Sequence, residues 1–434
     1  MSEINRRETV KMIGAGVGLA CAAVSAPAAE PQGDKPRLFI GVQVRKQSFD
    51  QRPVDEVIDD LAKTVGMNAL VTINVDTAEG IRGVADAAAK RGVRYFPAKF
   101  EWSPRPGSID AFGQRQQGNC PLDPAPRDAR MKWYENAADA LPASAGGILF
   151  GHEERMPPLH STLGGDPGGC FCEVCVQRGK ERGVDVEHAR TGFQRIHALT
   201  QDCLAGRTPA DGAFVTLWRT LTEYPEVFVW DRLWFEALVE VRRALRDMVR
   251  SKKPTLQLGW HINHPLTLSP FFRARYDYND YVGIADWVKP SIYHDCGAAR
   301  FRGSWTGFHR AILADLDRET ALRVLYGVLQ MDASREPTLA DYDQKAVRPF
   351  SEEYVAREVR RGLAALKGRI PLHAGIGIDI PTGGAGVPVT PESVYKATKA
   401  ALDAGAQGIM VSRHLDEMRR ENLEAAGRAI KERL

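Results

Sequence analysis

The 434-residue sequence has no block of lysine and arginine, and its formal net charge is only +3. Without a basic face there is no electrostatic footprint for nucleic acid, and none is expected as a partner. Beyond residue 30 no apolar run is long enough to cross a bilayer, so no stable membrane insertion is expected once a leader is removed. No internal repeat or low-complexity linker interrupts the chain. The first β-like run continues as "GVQVRKQSFD", which holds no glycine-rich phosphate turn, and this argues against a doubly wound dinucleotide-binding sheet. Cysteine is scarce, seven in all, yet three fall within six positions. The remainder is ordinary: 44% hydrophobic and 26% charged residues, the balance of a globular protein.

The first residues read as a leader. Arg6 and Arg7 precede the Gly/Ala-rich apolar run "MIGAGVGLACAAV", and "SAPAAE" offers cleavage after Ala26 or Ala29. This looks like a twin-arginine signal over residues 1–29, with a chance arginine pair in a general secretory signal as the plainer alternative. It implies the Tat translocase as a transient partner and a periplasmic or secreted protein, folded before export with any metal already inserted. Cys21 would be the acylation site of a lipoprotein, but Gly18 stands where such signals usually carry leucine, which favours simple cleavage.

Past the leader, β-like runs at 37–44, 68–75, 94–102, 146–154, 256–263, 285–295, 371–380 and 408–414 alternate with helical periodicity. Eight parallel βα units close an α/β fold of the (β/α)8 TIM-barrel type, expected over residues 36–434 with no second domain. "TALRVLYGVLQM" (320–331) has helical spacing and stays outside the eight. Residues 103–130 and 155–190, rich in Gly, Pro and Cys, read as long loops after the third and fourth strands.

In such a barrel chemistry belongs at the C-terminal strand ends. Those ends carry Gln43 and Arg45; Asn74; Lys99, Glu101 and Trp102; His152, Glu153 and Glu154; Trp260, His261, Asn263 and His264; Tyr293, His294 and Asp295; Asp379; and Arg413 and His414. Beyond the weak candidate "PTGGAG" no glycine-rich anion nest follows the last two strands, which disfavours a phosphorylated ligand. Aromatics beside carboxylates suit a neutral sugar, with ring faces to stack and hydroxyls to bind. Trp102, Trp260 and Tyr293 are the expected platforms, with Lys99, Glu101, His261, His294, Asp295 and Arg413 as further binding residues.

Glycoside hydrolysis needs two carboxyl groups flanking the scissile bond, one of them held protonated. "ILFGHEER" delivers Glu153 and Glu154 to the mouth, and strand alternation allows only one to point straight in. The plain alternative is an ion pair with Arg155. Asp379, ending the seventh strand across from the fourth, is the expected opposing carboxylate, with capping of the following turn as its structural alternative. Asp295 and Glu101 are substitutes. Two other functions remain open: a barrel that binds carbohydrate without cleaving it, and a metal-dependent sugar isomerase or lyase using His261, His264 and His294.

Cys170, Cys172 and Cys175 in "GGCFCEVC" gain a fourth partner in Cys120 of "GNCPLDP", from the neighbouring long loop. Four thiolates suit a closed, structural zinc site. Export favours disulfides as the alternative, although thiols so close along the chain pair poorly with one another. A Cys after the third strand, a Glu ending the fourth and C-x-C-x2-C in the next loop resemble the zinc-bearing β-galactosidases of the (β/α)8 glycoside hydrolase superfamily and related exported barrels. The resemblance implies carbohydrate chemistry, a structural zinc on the four cysteines, and Glu153 rather than Glu154 as acid/base; no organic cofactor is expected. It places a nucleophile at the end of the seventh strand, where this chain has Asp379. In that family the acid/base follows Asn; here His152 precedes Glu153.

Overall fold

A computed structural model describes residues 37–100, 107–116, 120–151 and 157–434. Leu38–Leu434 form one compact unit. Its centre is a parallel sheet of eight strands: β1 (Phe39–Arg45), β2 (Ala69–Ile73), β3 (Arg94–Lys99), β4 (Gly147–Phe150), β5 (Gln257–Ile262), β6 (Trp287–Pro290), β7 (His373–Gly377) and β8 (Gly408–Ser412). The spatial order is β6-β5-β4-β3-β2-β1-β8-β7. The ring closes between β6 and β7, where Val288 N donates to Pro371 O at 3.0 Å and Ile292 N to Gly375 O at 3.0 Å. Pro290 sits between these two donors and has no N–H to give, so this seam is a pair of bridges rather than a ladder. The fold is the expected (β/α)8 barrel. Segment 320–331 falls mostly in a helix, Arg318–Val328.

Alternation along each strand sorts side chains between barrel interior and helix layer. Phe39 and His373 stack at 4.1 Å, and Trp287 meets Phe96 edge-on at 5.4 Å, plugging the N-terminal half of the interior with rings. The polar cavity therefore opens at the C-terminal strand ends.

The stretch between β4 and β5 is more regular than the expected loop. Its described residues hold five helices: Pro158–Leu163, Glu173–Glu181, Val186–Leu204, Ala213–Glu223 and Glu226–Lys252. They bury an apolar cluster of their own, in which Phe171 stacks on Trp230 at 4.6 Å. A short hairpin, Ser108–Ile109 with Arg115–Gln116, ties this stretch to the loop after β3. Phe171 N donates to Ile109 O and Ala111 N to Gly168 O, both at 2.7 Å. No helix among the described residues is long and apolar enough to cross a membrane.

Candidate functional site at the barrel mouth

A cavity of roughly 620 Å³ opens at the C-terminal end of the barrel. On one side stands His261, the inward residue near the end of β5. Its Nδ1 lies 3.2 Å from Lys289 Nζ and its Nε2 3.4 Å from Ser291 Oγ. Lys289 faces inward from β6, wholly buried, and donates also to the Tyr293 hydroxyl. Gly375 on β7 makes room for it, since a Cβ there would stand 2.7 Å from Lys289 Cε. Burial pulls the Lys289 ammonium below its ordinary pKa, because the low-dielectric interior disfavours the charge.

Beside Tyr293 a chain of hydrogen bonds fixes a second histidine. Thr267 Oγ1 donates to His264 O at 2.8 Å, and the Tyr354 hydroxyl donates to Thr267 Oγ1 at 2.7 Å. His264 Nε2 lies 3.2 Å from that hydroxyl, leaving Nδ1 to accept from Arg300 Nη1 at 3.1 Å. Burial, then the nearby Arg300 and Lys289, hold His264 neutral, so its ring serves as an acceptor that aims the guanidinium. Across the mouth Arg413 grips Glu417 through Nε (3.1 Å) and Nη2 (2.6 Å), and Arg45 grips Asp416 through the same edge. Between them burial, Arg45 and Arg413 push His414 down to about 3, so it too is neutral at ordinary pH.

Of the residues expected to bind substrate, His261, Tyr293 and Arg413 line this cavity. Tyr293 is only 4% exposed, its ring covered by His264 at 5.4 Å and Lys289 Nζ at 4.7 Å, so it offers a hydroxyl rather than an open stacking face. Three expectations need correction, each for reasons of direction. Trp260 lies one residue from the inward His261 and so points outward; it is 1% exposed and packs on Phe150 at 5.0 Å. Lys99 also turns out of the barrel, pairing with Asp76 at 3.1 Å. His294 begins the helix after β6 and points at Ser393, 3.2 Å away, with burial lowering it to about 4.

Asp379 is the larger correction. It adopts a left-handed backbone (φ 55°), which swings its carboxylate out of the mouth. There it accepts from Arg419 N (2.8 Å), from the Arg419 guanidinium (2.8 and 3.1 Å) and from Asn422 Nδ2 (2.9 and 3.0 Å). It anchors the start of helix Arg420–Lys431, a structural role different from the expected capping of the following turn, and does not face a substrate.

Asp295 takes the inward position instead. Gly377 ends β7 on its inner face, and a Cβ there would stand 2.1 Å from Asp295 Oδ1, so the carboxylate fills the place of an inward side chain. Oδ2 accepts from Ile380 N at 2.9 Å, whereas Oδ1 has no hydrogen-bond partner among the described residues, and the carboxylate does not itself line the cavity. Burial pushes this carboxyl up to about 6. Glu101, Trp102, Glu153 and Glu154 lie outside the described residues.

Sequence reasoning passed over Lys289, Ser291 and Arg300. The parity of "WVKPS" places Lys289 and Ser291 on the face of Trp287 and was a usable signal. The pairing of Arg300 with His264, 36 positions apart, had none.

The four cysteines converge as expected. Their sulfurs lie within 4.8 Å of one another, with Cys120 to Cys175 at 3.3 Å and Cys120 to Cys172 at 3.7 Å. None is in a disulfide. Backbone N–H groups of Ile109 and Cys172 point at Cys170 Sγ, each at 3.4 Å, an arrangement that favours a thiolate. Sulfurs at the corners of a tetrahedron about 2.3 Å from a zinc ion would stand just under 4 Å apart, so this cluster could hold a metal of that size. Among the described residues no other group of three or more His, Cys, Asp or Glu side chains is disposed to hold an ion, so His261, His264 and His294 do not converge on one.

Neither a protein-family model nor a curated protein matches the sequence. Among solved structures the fold is similar to the β-galactosidase of the Antarctic haloarchaeon Halorubrum lacusprofundi, with a TM-score of 0.56 and 12% identity, covering 91% of this chain and 58% of that one. It is also similar to the β-galactosidase of the psychrophilic Marinomonas ef1, with a TM-score of 0.54 and 10% identity, covering 91% of this chain and 59% of that one. The chain thus spans less than three fifths of the length of either. By fold it is a (β/α)8 barrel of the kind on which these glycoside hydrolases are built.

Proposed function

We propose that this protein is a glycoside hydrolase-like barrel that cleaves a glycosidic bond in a glycan through two carboxylates. Glu153, following β4, acts as general acid/base, and Asp295, reaching the inner face of β7, is the opposing carboxylate. The observation that carries the reading is Asp295: a buried, inward carboxylate with one oxygen unpartnered among the described residues, set behind the cavity lining at the C-terminal end of β7 in a barrel of glycosidase fold. In that role Asp295 must be ionised, and a pKa of about 6 predicts activity that falls as the pH drops below it. His261 and Tyr293 would hold sugar hydroxyls. The cysteine cluster would carry a structural zinc that braces the loops after β3 and β4, with all four positions taken by protein sulfur and none left for substrate. The arginine pair at 6 and 7 supports export by the twin-arginine route, to the periplasm or beyond.

The test is a panel of chromogenic glycosides and polysaccharides with the wild type, Glu153→Gln and Glu154→Gln. Glu153→Gln is expected to lower turnover about 10²–10⁴-fold, the ordinary worth of a positioned acid/base, and Glu154→Gln much less. Glycans that bind but are never cleaved would make the protein a carbohydrate-binding barrel instead.

A further inference from the structure

The described lining of the cavity carries three guanidinium groups and no carboxylate of its own. Arg45, Arg300 and Arg413 line the cavity, and among the described residues the carboxylates paired with them are Asp416 and Glu417. Among the described residues that is three lining guanidinium groups against two paired carboxylates, with the buried Asp295 behind the lining as the remaining acidic group and the buried Lys289, whose partners His261 and Tyr293 line the same cavity, opposite it in sign. Arg300 has no ion pair among the described residues. Its neighbours are the neutral His264, at 3.1 Å, and the Tyr293 ring, 5.9 Å away; Asp295, on the same helix, makes no ion pair with it. Arg45 and Arg413 each spend the Nε and Nη2 edge on a carboxylate, and neither Nη1 is hydrogen-bonded among the described residues. The flanking histidines add acceptors rather than charge. A planar guanidinium held in place by a histidine, with no ion pair among the described residues, is a preformed site for a planar or tetrahedral anion.

We propose that the cavity binds a sugar bearing an anionic substituent, a carboxylate or a sulfate ester, with Arg300 as its charge-assisted anchor and the Nη1 groups of Arg45 and Arg413 around it. The inference rests on the reading of the chain as a glycan-acting barrel, and it replaces the neutral sugar expected from the strand ends.

The experiment is calorimetric titration of the full chain carrying Glu153→Gln, with galacturonate and glucuronate trisaccharides, a sulfated galactose trisaccharide and neutral galactotriose. The anionic ligands are expected to bind at least tenfold more tightly than the neutral one, with the advantage shrinking as salt is raised. Which of them binds best separates a uronate from a sulfate ester. Adding Arg300→Gln should remove about tenfold to hundredfold of the anionic affinity and leave the neutral affinity unchanged, and Arg300→Lys should restore part of it. Thermal unfolding followed by circular dichroism checks that both variants fold. Equal or tighter binding of the neutral ligand, an equal loss on both classes in Arg300→Gln, or no binding of any anionic ligand overturns the inference. Anionic binding with no cleavage by the wild type keeps it and removes the hydrolase reading, while cleavage of neutral glycans without preference for anionic ones does the reverse.

Discussion

Replacing Asp295 by Asn should stabilise the protein while disabling it, and the pH dependence of the gain follows from the site. Asp295 is 6% exposed, and burial raises its carboxyl from an ordinary 3.8 to about 6. The folded state thus prefers the protonated form. The stability this preference contributes is fully present below about pH 4 and is lost as the pH rises through 6. A gap of about two units corresponds to about 3 kcal/mol when the group is fully ionised, and relaxation of the site lowers the measured effect to about 1–3 kcal/mol. Asparagine keeps an acceptor for Ile380 N and removes the charge. For a unit of this size, unfolding entropy is about 0.8 kcal/mol per degree, so the variant should melt about 1–4 °C higher at pH 8. Below pH 4 the two proteins should melt together. The assay is thermal unfolding by circular dichroism of both proteins from pH 3.5 to 8, with glycan cleavage measured alongside. A stability difference that is flat across this range, or that widens as the pH falls, would refute the buried-charge argument. Wild-type turnover in Asp295→Asn would separately refute its role as the opposing carboxylate.

Asp379→Ala leaves the buried Asn422 amide and the Arg419 N–H without their main acceptor, removes a helix-start anchor and puts a Cβ-bearing apolar residue at φ 55°. Together these cost about 3–5 kcal/mol, read as an unfolding midpoint about 4–6 °C lower. Asp379→Asn, which tolerates that backbone, should cost less and retain cleavage; abolished activity with an unchanged midpoint would return Asp379 to the chemistry. Elemental analysis should find one zinc per chain, released by a thiol-modifying reagent rather than by a mild chelator. Cys175→Ser should lose the zinc and lower the unfolding midpoint by several degrees, and full metal content in that variant would refute the four-sulfur site.

The barrel was legible because its signal is local. Each strand is a short apolar run bounded by polar strand ends, and burial on both faces makes such runs stand out from the periodic helices between them. The cysteine trio was legible for the same reason, and Cys120 joined it because consecutive strands of a barrel bring their loops together. Direction was harder. Listing every polar residue at a strand end treats both faces alike, and Trp260 and Lys99 were misread on that account, although parity with His261 and Ala98 contained the answer.

What the sequence determined, then, is the ring of eight strands, the open end and the thiol cluster, all set by hydrophobic period and by spacing within one or two loops. The tertiary structure decided which charges face the cavity. Asp379 leaves it because a left-handed turn hands its carboxylate to a helix 40 residues on, and Asp295 turns inward behind its lining because Gly377 has no side chain to occupy the space. Arg300 is aimed by a histidine on another strand's loop. These assignments depend on backbone dihedrals and on contacts between distant segments, where a residue's neighbours along the chain exert no physical hold on the direction of its side chain.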